Sequence, residues 1–446
     1  MAEQIMQETA DKAIPAGYKQ TEVGLIPEDW ALVTIDDVAS FSGGSQPAKN
    51  FFSSEPKDGY IRLIQIRDYK TSEYETYIPA YLARKLCSEH DIMIGRYGPP
   101  IFQILRGISG TYNVALIKTE PKRLIDREYL FYILKTNRLF LLMDMLSQRS
   151  SGQTGIELPA LKAYPIPLPS KQEQIAISNV LSDIDALTAG LERLITKKQS
   201  VKTATMQQLL TGRTRLPQFA LRPDGTPKGY KSSELGQIPE DWEVLAIDDC
   251  ATKVGSGKTP NGGASVYIDA GRPFVRSQNI GWGRLILDDV AYISDDIHNT
   301  FSGSEIKEDD VLLNITGASI GRCAITEEYI VGGNVNQHVC IIRLNSVLLN
   351  ARLLVELINS RNGQKQIDSY QAGGNREGLN FQQVRQLKFA VSNSSVEQTA
   401  IATILSDMDN ELTALEQKLA KARDLKQGMM QQLLTGRIRL PLPKEA

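Results

Sequence analysis

Apolar residues recur in steps of three and four along two long stretches of the chain, Ser170–Pro217 and Ser394–Pro441. The apolar positions run through residues 177–209 in the first stretch and through residues 404–433 in the second. A narrow apolar stripe of this kind is typical of a coiled-coil seam. Each stretch is therefore predicted to form one long helix.

Both helices have sequence signals at their starts and ends. Ser170 with Glu173, and Ser394 with Glu397, have the capping-box spacing, in which the hydroxyl and the carboxylate satisfy backbone N–H groups of the first turn. A glycine at position 212 or 436 stands where a left-handed helix stop belongs, and a proline follows each. About 40 residues at 1.5 Å each predict a rod on the order of 60 Å. Two ordinary amphipathic core helices are the alternative.

The two helical stretches are copies of each other, since they agree at 24 of 48 positions without a gap. A second repeat precedes them, because Gly17–Asp37 matches Gly229–Asp249. Whole units have therefore been duplicated, each a globular module followed by a long helix. The predicted domains are a tail at 1–17, a first module at 18–169, a first helix at 170–212, a linker at 213–229, a second module at 230–393, a second helix at 394–436 and a tail at 437–446.

The linker between the repeats predicts how the helices pair. Its roughly 17 residues reach at most about 60 Å when fully extended, and they include three prolines. A parallel pair would force this linker to retrace the whole rod. An antiparallel pair with pseudo-twofold symmetry is therefore predicted, and the length of the rod is expected to set the distance between the modules.

Composition limits the class of protein. A chain of 446 residues exceeds one core and should contain two or three domains. It has no apolar run long enough to span a bilayer and no signal-peptide pattern, and its four cysteines lie far apart. A disulfide or zinc framework is not expected, and a cytoplasmic location is. The net charge of −2 gives no sign of a nucleic-acid partner, so any DNA contact requires locally arranged basic residues or a partner subunit.

Within the modules, short β-rich runs alternate with turns, which predicts an α+β fold with a mixed, curved sheet. The two modules share their opening and closing segments, whereas their middles differ in sequence. This suggests two modules that do one job on different targets. Strands are predicted at Tyr60–Ile66, Ile92–Ile94, Val114–Ile117, Phe274–Arg276, Val311–Ile315 and Val339–Leu344, and helices at Glu128–Leu146 and Asn350–Ile358.

The loops of both modules carry small hydrogen-bonding residues beside arginine and lysine. Arginine can pair with guanine and glutamine or asparagine with adenine, while lysine mainly anchors phosphate. Tyr97 and Trp282 could stack on an exposed base, with packed aromatics as the alternative. For every position the alternative is a tight turn with solvated charges. The candidate DNA-binding residues are Lys49, Gln65, Arg67, Arg96, Tyr97, Ser151, Gln153 and Thr154 in the first module, and Lys258, Arg276, Gln278, Asn279, Trp282, Thr316, Asn375 and Arg376 in the second.

Catalytic motifs are missing from the sequence. Residues 255–259 resemble the end of a phosphate-binding P-loop, but Thr252 replaces the first glycine of that motif, and the first module has no lysine at the matching place. The sequence has no Asn-Pro-Pro-aromatic methyltransferase motif, no HExxH and no GxSxG. The chain is therefore expected to catalyse nothing by itself.

Two divergent modules, each followed by a long helix ending in QQLLTGR, resemble the specificity (S) subunits of type I restriction-modification enzymes. The resemblance extends to the Ile-Pro-Glu-Asp-Trp openings at 26–30 and 238–242, and to the junction that runs from Ser151-Gly-Gln-Thr-Gly through Pro165–Pro169 to Ser182–Asp185. It covers residues 17–441. The second junction departs from the pattern, because residues 373–378 replace the SGQTG loop and residues 389–392 replace the Pro-Ile-Pro run.

The resemblance implies a non-catalytic DNA specificity subunit in which each module, a target-recognition domain, reads one half of a bipartite asymmetric site. It implies double-stranded DNA, two methyltransferase (M) subunits and two restriction-translocase (R) subunits as partners. S-adenosylmethionine would be held by M, ATP and magnesium would be used by R, and this chain would hold no cofactor. The alternatives are a specificity chain for a fused nuclease-methyltransferase and, from a different class, a coiled-coil adaptor with protein-binding heads.

Overall fold

The computed structural model describes residues 14–148, 155–371 and 378–441. The chain divides into two compact units that do not coincide with the sequence repeats. Unit 1 comprises residues 1–192 and 418–446, and unit 2 comprises residues 193–417. Each unit therefore combines one globular module with the first part of the helix that follows it and the last part of the other long helix.

The module of unit 1 contains two four-stranded sheets. The first is antiparallel and joins Ala39–Gly43, Leu116–Pro121, Ile92–Gly95 and Gln103–Leu105 in that order. The second joins Tyr77–Pro79, Tyr60–Ile64, Gly110–Tyr112 and Leu86–Cys87, with one parallel pair. Two strand pairs complete the module, Tyr18–Thr21 with Gly24–Pro27 and Ala31–Thr34 with Pro165–Leu168. Its helices are Ile35–Val38, Arg127–Leu134, Asn137–Ser147 and Leu158–Ala163.

The module of unit 2 repeats this arrangement. An antiparallel sheet joins Ala251–Ser256, Val339–Leu344, Val311–Asn314 and Cys323–Ile325. A smaller sheet joins Ala291–Ile293, Arg272–Val275 and Asn334–Val335, again with one parallel pair. The strand pairs are Tyr230–Ser233 with Gly236–Pro239 and Trp242–Ala246 with Lys388–Ser392. Its helices are Ile247–Cys250, Asp295–Asn299, Ala351–Asn359, Arg361–Gln371 and Phe381–Arg385. The predicted α+β class with mixed sheets is confirmed.

The two long helices extend over Lys171–Leu209 and Ser395–Leu433. In unit 1 they run antiparallel, because residues 185 and 192 of the first helix form ion pairs with residues 426 and 423 of the second. In unit 2 they also run antiparallel, because residues 198 and 202 pair with residues 411 and 409. A helix of 39 residues is about 58 Å long. The antiparallel pairing predicted from the linker is confirmed in each unit.

The apolar seam is less complete than its spacing predicts. Ile177, Leu181 and Leu405 are buried, whereas Leu187 and Leu425 are about half exposed. A pair of helices covers only one side of an apolar stripe, so the positions on the outer side of the stripe stay in water. The seam is therefore continuous only where a module packs against the helix pair.

Half of each predicted capping box is present. The backbone N–H of Glu173 donates to the Ser170 hydroxyl (3.3 Å), and Glu397 donates to Ser394 in the same way (3.4 Å). The two glutamate carboxylates bind other groups. In unit 1, Glu173 accepts from Trp30 Nε1 and from Arg439, which also binds Asp29.

The same four-residue node occurs in unit 2. Glu397 accepts from Trp242 Nε1 (3.2 Å) and from Arg215, whose guanidinium also binds Asp241. In both units the arginine follows the end of one long helix, while the glutamate lies in the first turn of the other. The glutamates are therefore used to join the helix pair to the module, which explains why they are not available for the second half of a capping box.

Val339–Leu344 is the one predicted element of the modules with its predicted bounds. The strand predicted at Val114–Ile117 is Leu116–Pro121, and most others shift by one or two residues.

Two elements are interrupted by local hydrogen bonds. The helix predicted at Glu128–Leu146 is broken, because Thr136 adopts an extended conformation and its hydroxyl bonds the carbonyl of Ile133. The strand predicted at Tyr60–Ile66 ends at Ile64, because residues 65–68 form a capped turn in which Asp68 accepts from the backbone of Gln65. Both differences arise from side chain–backbone hydrogen bonds that compete with the regular element.

Candidate DNA-recognition loops

Backbone hydrogen bonds gather the loops of the first module at one end of its sheets. We call this set loop cluster 1 and define it as residues 43–49, 65–68, 96–98, 113–115 and 155–156. Strand ends and loops alternate along it, so each loop is fixed by a neighbouring strand. The hydrogen bonds are Asn113 N to Ile64 O, Ser45 N to Tyr112 O, Gly44 N to Leu116 O, Arg96 N to Ala115 O and Ile156 N to Arg96 O, all between 2.8 and 3.3 Å.

The second module forms a matching set, loop cluster 2, at residues 256–259, 276–279, 315–319, 336–338 and 378–379. Its hydrogen bonds, apart from that of Gly257, each match a bond of cluster 1. They are Asn336 N to Val275 O, Gly257 N to Asn336 O, Ile315 N to His338 O and Leu379 N to Ile315 O, between 2.8 and 3.2 Å. The duplicated frame thus presents two loop clusters that are built alike.

Glycine is required at one matched position in each cluster. A Cβ atom on Gly44 would overlap the carbonyl group of Asn113, and a Cβ on Gly257 would overlap the carbonyl of Val335. The loop crosses the parallel strand so closely that no side chain fits. Gly257 belongs to the segment that resembles a P-loop. Packing explains why this position is glycine, which agrees with the rejection of a P-loop from the sequence.

The short turn that follows the parallel strand carries Gln65 and Arg67 in cluster 1. Gln65 Nε2 donates to the Thr76 hydroxyl (2.9 Å). Arg67 is about half exposed and donates to the carbonyl of Tyr74 (3.3 Å). The Arg67 contact is long and exposed, so this side chain can exchange it for a ligand, whereas Gln65 would have to give up a part-buried hydrogen bond. Lys49 is exposed at the start of the turn Lys49–Phe51.

Arg96 and Tyr97 stand at the end of the strand Ile92–Gly95. Arg96 is exposed, and its guanidinium carbon lies 5.3 Å from the centre of the Tyr97 ring. Gly155 lies against the same ring, since a Cβ there would be 3.3 Å from it. The structure therefore places Arg96 and Tyr97 next to the end of the predicted Ser151–Thr154 loop, which itself lies outside the described residues.

Arg276 and Gln278 occupy the matching turn of cluster 2 and share one carboxylate. Asp289 accepts from Arg276 Nη2 (3.2 Å) and from Gln278 Nε2 (2.7 Å). Asp289 is itself well exposed. An acceptor from DNA that takes its place would meet an arginine and a glutamine already aligned.

Asn279 has a structural role. It is 1% exposed, and its amide donates to the carbonyls of Ile286 and Asp289 (2.9 Å each) while its oxygen accepts from the backbone of Arg276 (3.0 Å). Asp68 takes the same capping position in the first module. Asn279 is buried inside the module, so the sequence-based assignment of this residue to base contact is replaced by a role in holding the turn.

The other candidates of the second module lie in two places. Lys258 is exposed and stands over the Phe301 ring (5.3 Å). Thr316 is in cluster 2, where its hydroxyl bonds His338 Nδ1 (2.5 Å). Trp282 is 55% exposed but lies outside the cluster, against the end of the first long helix. Asn375 and Arg376 lie outside the described residues.

The sequence gives no sign that three further polar residues belong to cluster 2. They are Thr259, Gln337 and His338. Gln337 bonds both His338 Nε2 and the Thr259 hydroxyl, so the three side chains form one chain of hydrogen bonds with Thr316. Asp289 was missed as well, because it lies 13 residues from Arg276 in a segment with no motif. No pattern in the sequence connects these positions, which only the sheet topology brings together.

The described residues contain neither a metal-site cluster nor a membrane-spanning helix. Over residues 14–148, 155–371 and 378–441, no three His, Cys, Asp or Glu side chains group as a metal site. In the same residues no helix has the length and apolarity needed to cross a bilayer. All four cysteines are buried and free, and burial raises the pKa of the Cys87 and Cys250 thiols to about 11.

Comparison with known proteins agrees with this geometry. A family model for the type I restriction modification DNA specificity domain matches the chain twice, at residues 27–203 and 239–422. The chain is 25% identical over 427 residues to the type I restriction enzyme MjaVIII specificity subunit of Methanocaldococcus jannaschii, covering 95% of this chain and 96% of that one. It is 26% identical over 326 residues to the MjaIX specificity subunit of the same organism, covering 69% and 71%.

A solved structure shows the same fold. The type I restriction-modification S subunit from M. genitalium superposes with a TM-score of 0.59 at 16% identity, covering 94% of this chain and 97% of that one. The two matches of the family model together include most of the chain, one in each repeat. The chain therefore belongs to the family of type I restriction-modification DNA specificity subunits, which recognise DNA and are not themselves catalytic.

Proposed function

We propose that each module reads one half of a bipartite, asymmetric DNA site, and that the long helices set the unread spacer and dock two methyltransferase subunits. The observation that carries the proposal is the pair of matched loop clusters. Three backbone hydrogen bonds of their frames are equivalent, namely those donated by Asn113 and Asn336, by Arg96 and Ile315, and by Ile156 and Leu379, whereas their exposed side chains differ. One frame with two sets of side chains is what two different half-sites require.

The chemistry of the clusters supports base reading. Arg96 in cluster 1 and Arg276 in cluster 2 can each pair with the two acceptors of guanine, and Gln65 and Gln278 suit adenine. Each good pair contributes about 1–3 kcal/mol of discrimination. Lys49 and Lys258 are exposed within the clusters and suit phosphate contact, which fixes the register without reading sequence.

The partners and cofactors of the proposal follow from the family. Two methyltransferase subunits would hold S-adenosylmethionine and transfer the methyl group. Two restriction-translocase subunits would join for cleavage and use ATP with magnesium. This chain would supply recognition, and no cofactor is assigned to it.

The test uses the methylated motif as its readout. Arg96→Ala should relax or weaken only the half-site read by the first module, and Arg276→Ala only the other, because each arginine serves one cluster. Sequencing of methylated bases in cells that carry each variant measures both half-sites at once. Arg123→Ala, an exposed arginine away from the clusters, is the control. Unchanged motifs in both variants, with the complex assembled, would refute the assignment of the clusters.

The spacer is tested by lengthening both helices. Seven residues inserted after Glu192 and seven after Gln417, at the boundaries of the units, should leave each unit intact. The insertion adds about 10.5 Å to the helices, or about three base pairs. The methylated motif should therefore keep both half-sites and gain about three unread bases. Seven residues added to the linker at 213–229 should change nothing. An unchanged spacer after the helix insertion would disprove the ruler.

A further inference from the structure

Each unit has an open groove between its module and the end of a long helix. Groove 1, in unit 1, has a volume of about 880 Å³ and lies between residues 423–437 and the module. Groove 2, in unit 2, has a volume of about 700 Å³ and lies between residues 199–213 and the module. Neither groove contains a residue of the loop clusters, so DNA reading does not explain them.

The helix walls of the two grooves are copies of each other. Eight positions of the second helix line groove 1, and the eight equivalent positions of the first helix line groove 2. Six of the eight carry the same residue in both grooves, compared with half of the positions along the whole helical repeat. The shared residues are Lys202 and Lys426, Met206 and Met430, Gln207 and Gln431, Leu210 and Leu434, Thr211 and Thr435, and Arg213 and Arg437.

Internal packing accounts for only some of these identities. Leu210 and Leu434 are buried in the cores, and the Thr211 and Thr435 hydroxyls bond the helix backbone (2.6 Å). Gly212 lies between Thr211 and Arg213 but does not line the groove. Its φ is +66°, and a Cβ atom at this position would collide with Pro239. The side chains of Gln207, Gln431, Arg213 and Arg437 are exposed and make no hydrogen bond or ion pair with any described residue.

The two grooves are also alike in charge, because cations far outnumber acids in both linings. Groove 1 is lined by five lysines or arginines and no acid, and groove 2 by five and a single acid, Glu356. Several of these cations, including Lys135, Arg361 and Lys365, have no anionic partner among the described residues. Between them the groove floors carry partly exposed apolar side chains, Met430 and Ile104 in groove 1 and Met206 and Leu235 in groove 2. An apolar floor under cations suits an amphipathic acidic peptide better than a DNA backbone.

We infer that the two grooves dock the same acidic, amphipathic segment, one from each copy of the methyltransferase subunit. The inference rests on the proposed function, because it takes from it a partner that is present twice. A partner present twice meets the same residues at both sites, which accounts for unpaired side chains that are identical in the two repeats. Apolar side chains of the segment cover the partly exposed Met206 and Met430, and its carboxylates pair with Arg213 and Arg437.

The opposite walls of the grooves make the two sites unequal. Groove 1 presents Phe140 and Leu141 to the segment, and Leu141 is about half exposed. In groove 2 the position equivalent to Leu141 is Lys365, and although Leu235 and Trp282 are exposed there, its lining has less apolar surface than that of groove 1. The first methyltransferase copy is therefore expected to load at groove 1, because more apolar surface is removed from water there.

A photo-crosslinking amino acid at position 207 or 431 of the full chain provides the test. It is combined with the purified methyltransferase subunit of the same restriction system and with DNA. Both positions should capture the same peptide of the methyltransferase, and that peptide should be acidic and amphipathic. Capture of two different peptides, of none, or of DNA instead would overturn the inference.

Charge reversal gives an independent measurement. By native mass spectrometry Arg437→Glu and Arg213→Glu should each lower the number of bound methyltransferase copies from two to one, with affinity at the altered groove reduced about 30-fold or more. Lys197→Glu with Lys421→Glu, an identical and exposed pair outside both grooves, is the control. Groove variants that retain two copies would refute the inference and leave the proposed function standing. A wild-type chain that binds no methyltransferase would refute the proposed function itself.

Discussion

The two units use the same contacts to join the helix pair to the module at the helix start, but different contacts about three turns further along. At the start, the Trp–Glu–Arg–Asp node is identical in both. Further along, Tyr132 of unit 1 and Glu356 of unit 2 occupy equivalent positions, six residues after the caps Asp126 and Asn350.

The surroundings of Tyr132 and Glu356 are equivalent as well. Tyr132 donates to Asp185 (2.9 Å), which pairs with Lys426. Glu356 lies 3.9 Å from Lys202, which pairs with Asp409. In unit 1 a neutral hydroxyl completes the Lys–Asp pair. In unit 2 a second carboxylate is placed beside it.

This difference has an electrostatic consequence. Burial raises the pKa of Glu356 to about 7, with Lys202 opposing the rise and Asp409 adding to it. One carboxylate oxygen of Glu356 is buried without a hydrogen-bond partner. Duplication thus kept the node that positions the module, while the contact beside it diverged into one that titrates near neutral pH.

The largest effect is expected from breaking the shared node. Arg215 is 7% exposed, so Arg215→Ala leaves the buried Glu397 without its cation and should lower the free energy of unfolding of unit 2 by about 3–5 kcal/mol. Arg439 is 40% exposed, and water can partly replace it, so Arg439→Ala should cost unit 1 less. Hydrogen exchange of backbone amides in the two units measures both losses of stability. Arg222→Ala, which removes an exposed pair with Glu240, should leave exchange unchanged. Equal losses at Arg215 and Arg439 would contradict the difference in burial.

The next effect is a pH dependence confined to unit 2. The folded pKa of Glu356, about 7, lies above its ordinary value of 4.5. The native state therefore holds a proton that the unfolded state has released. Stability is present in full below pH 4.5 and is lost as the pH rises through 7, by about 2–3 kcal/mol.

Glu356→Gln should remove this dependence, because an amide keeps the size and loses the titration. The two proteins should match at pH 5, and the variant should be more stable at pH 8.5. Exchange of the helix Ala351–Asn359 gives the measurement, and the helix Arg127–Leu134 in unit 1 is the internal control. If the stability of wild-type unit 2 did not change between pH 5 and 8.5, this prediction would be wrong.

A smaller effect is expected at the equivalent position of unit 1. Tyr132→Phe removes the hydrogen bond to Asp185 but leaves that carboxylate paired with Lys426. The expected loss is about 1 kcal/mol of unfolding free energy, independent of pH between 5 and 8.5. Denaturant unfolding followed at both pH values measures it, and a loss that varied with pH would contradict the prediction.

The smallest effect separates the two candidate phosphate anchors. Lys258 is held over Phe301 and donates to the carbonyl of Thr300, whereas Lys49 is exposed and makes no such contact among the described residues. Lys49→Ala should weaken binding to all DNA sequences alike and lower the slope of log affinity against log salt by about 1. Lys258→Ala should weaken binding and lower this slope by the same amount or by less. DNA affinity measured over a series of salt concentrations tests both predictions. If Lys49→Ala lost affinity for some DNA sequences only, Lys49 would be reassigned to base contact.

The features that could be predicted from the sequence are those fixed by local chemistry. The helix stops at Gly212 and Gly436 rest on a positive φ that glycine adopts without strain, and both are present. The strand Val339–Leu344 was predicted with its observed bounds, because a continuous apolar run in a buried strand is a strong signal. The long helices and their pairing follow from spacing and linker length.

The features that could not be predicted depend on residues far apart in the chain. Glu173 has the sequence of a capping residue, but Arg439 and Trp30, distant in sequence, take its carboxylate. Asn279 has the residue type of an adenine reader, but the turn that it caps buries it. Both errors have one cause, since a polar residue is assigned by its type until the fold shows which partner it meets.

The mismatch between units and repeats has a consequence for chains that hold one repeat. Arg439, from the second repeat, completes the node of unit 1, and Arg215, from the first, completes the node of unit 2. Neither repeat can fill its own node, so the intact chain is in effect an intramolecular domain swap. A single repeat would have to borrow its arginine from another copy, and two copies would then form a symmetric homodimer that presents the same loop cluster twice. If each loop cluster reads one half-site, as proposed, such a dimer would read a palindrome, and covalent fusion of two different repeats would make an asymmetric site readable.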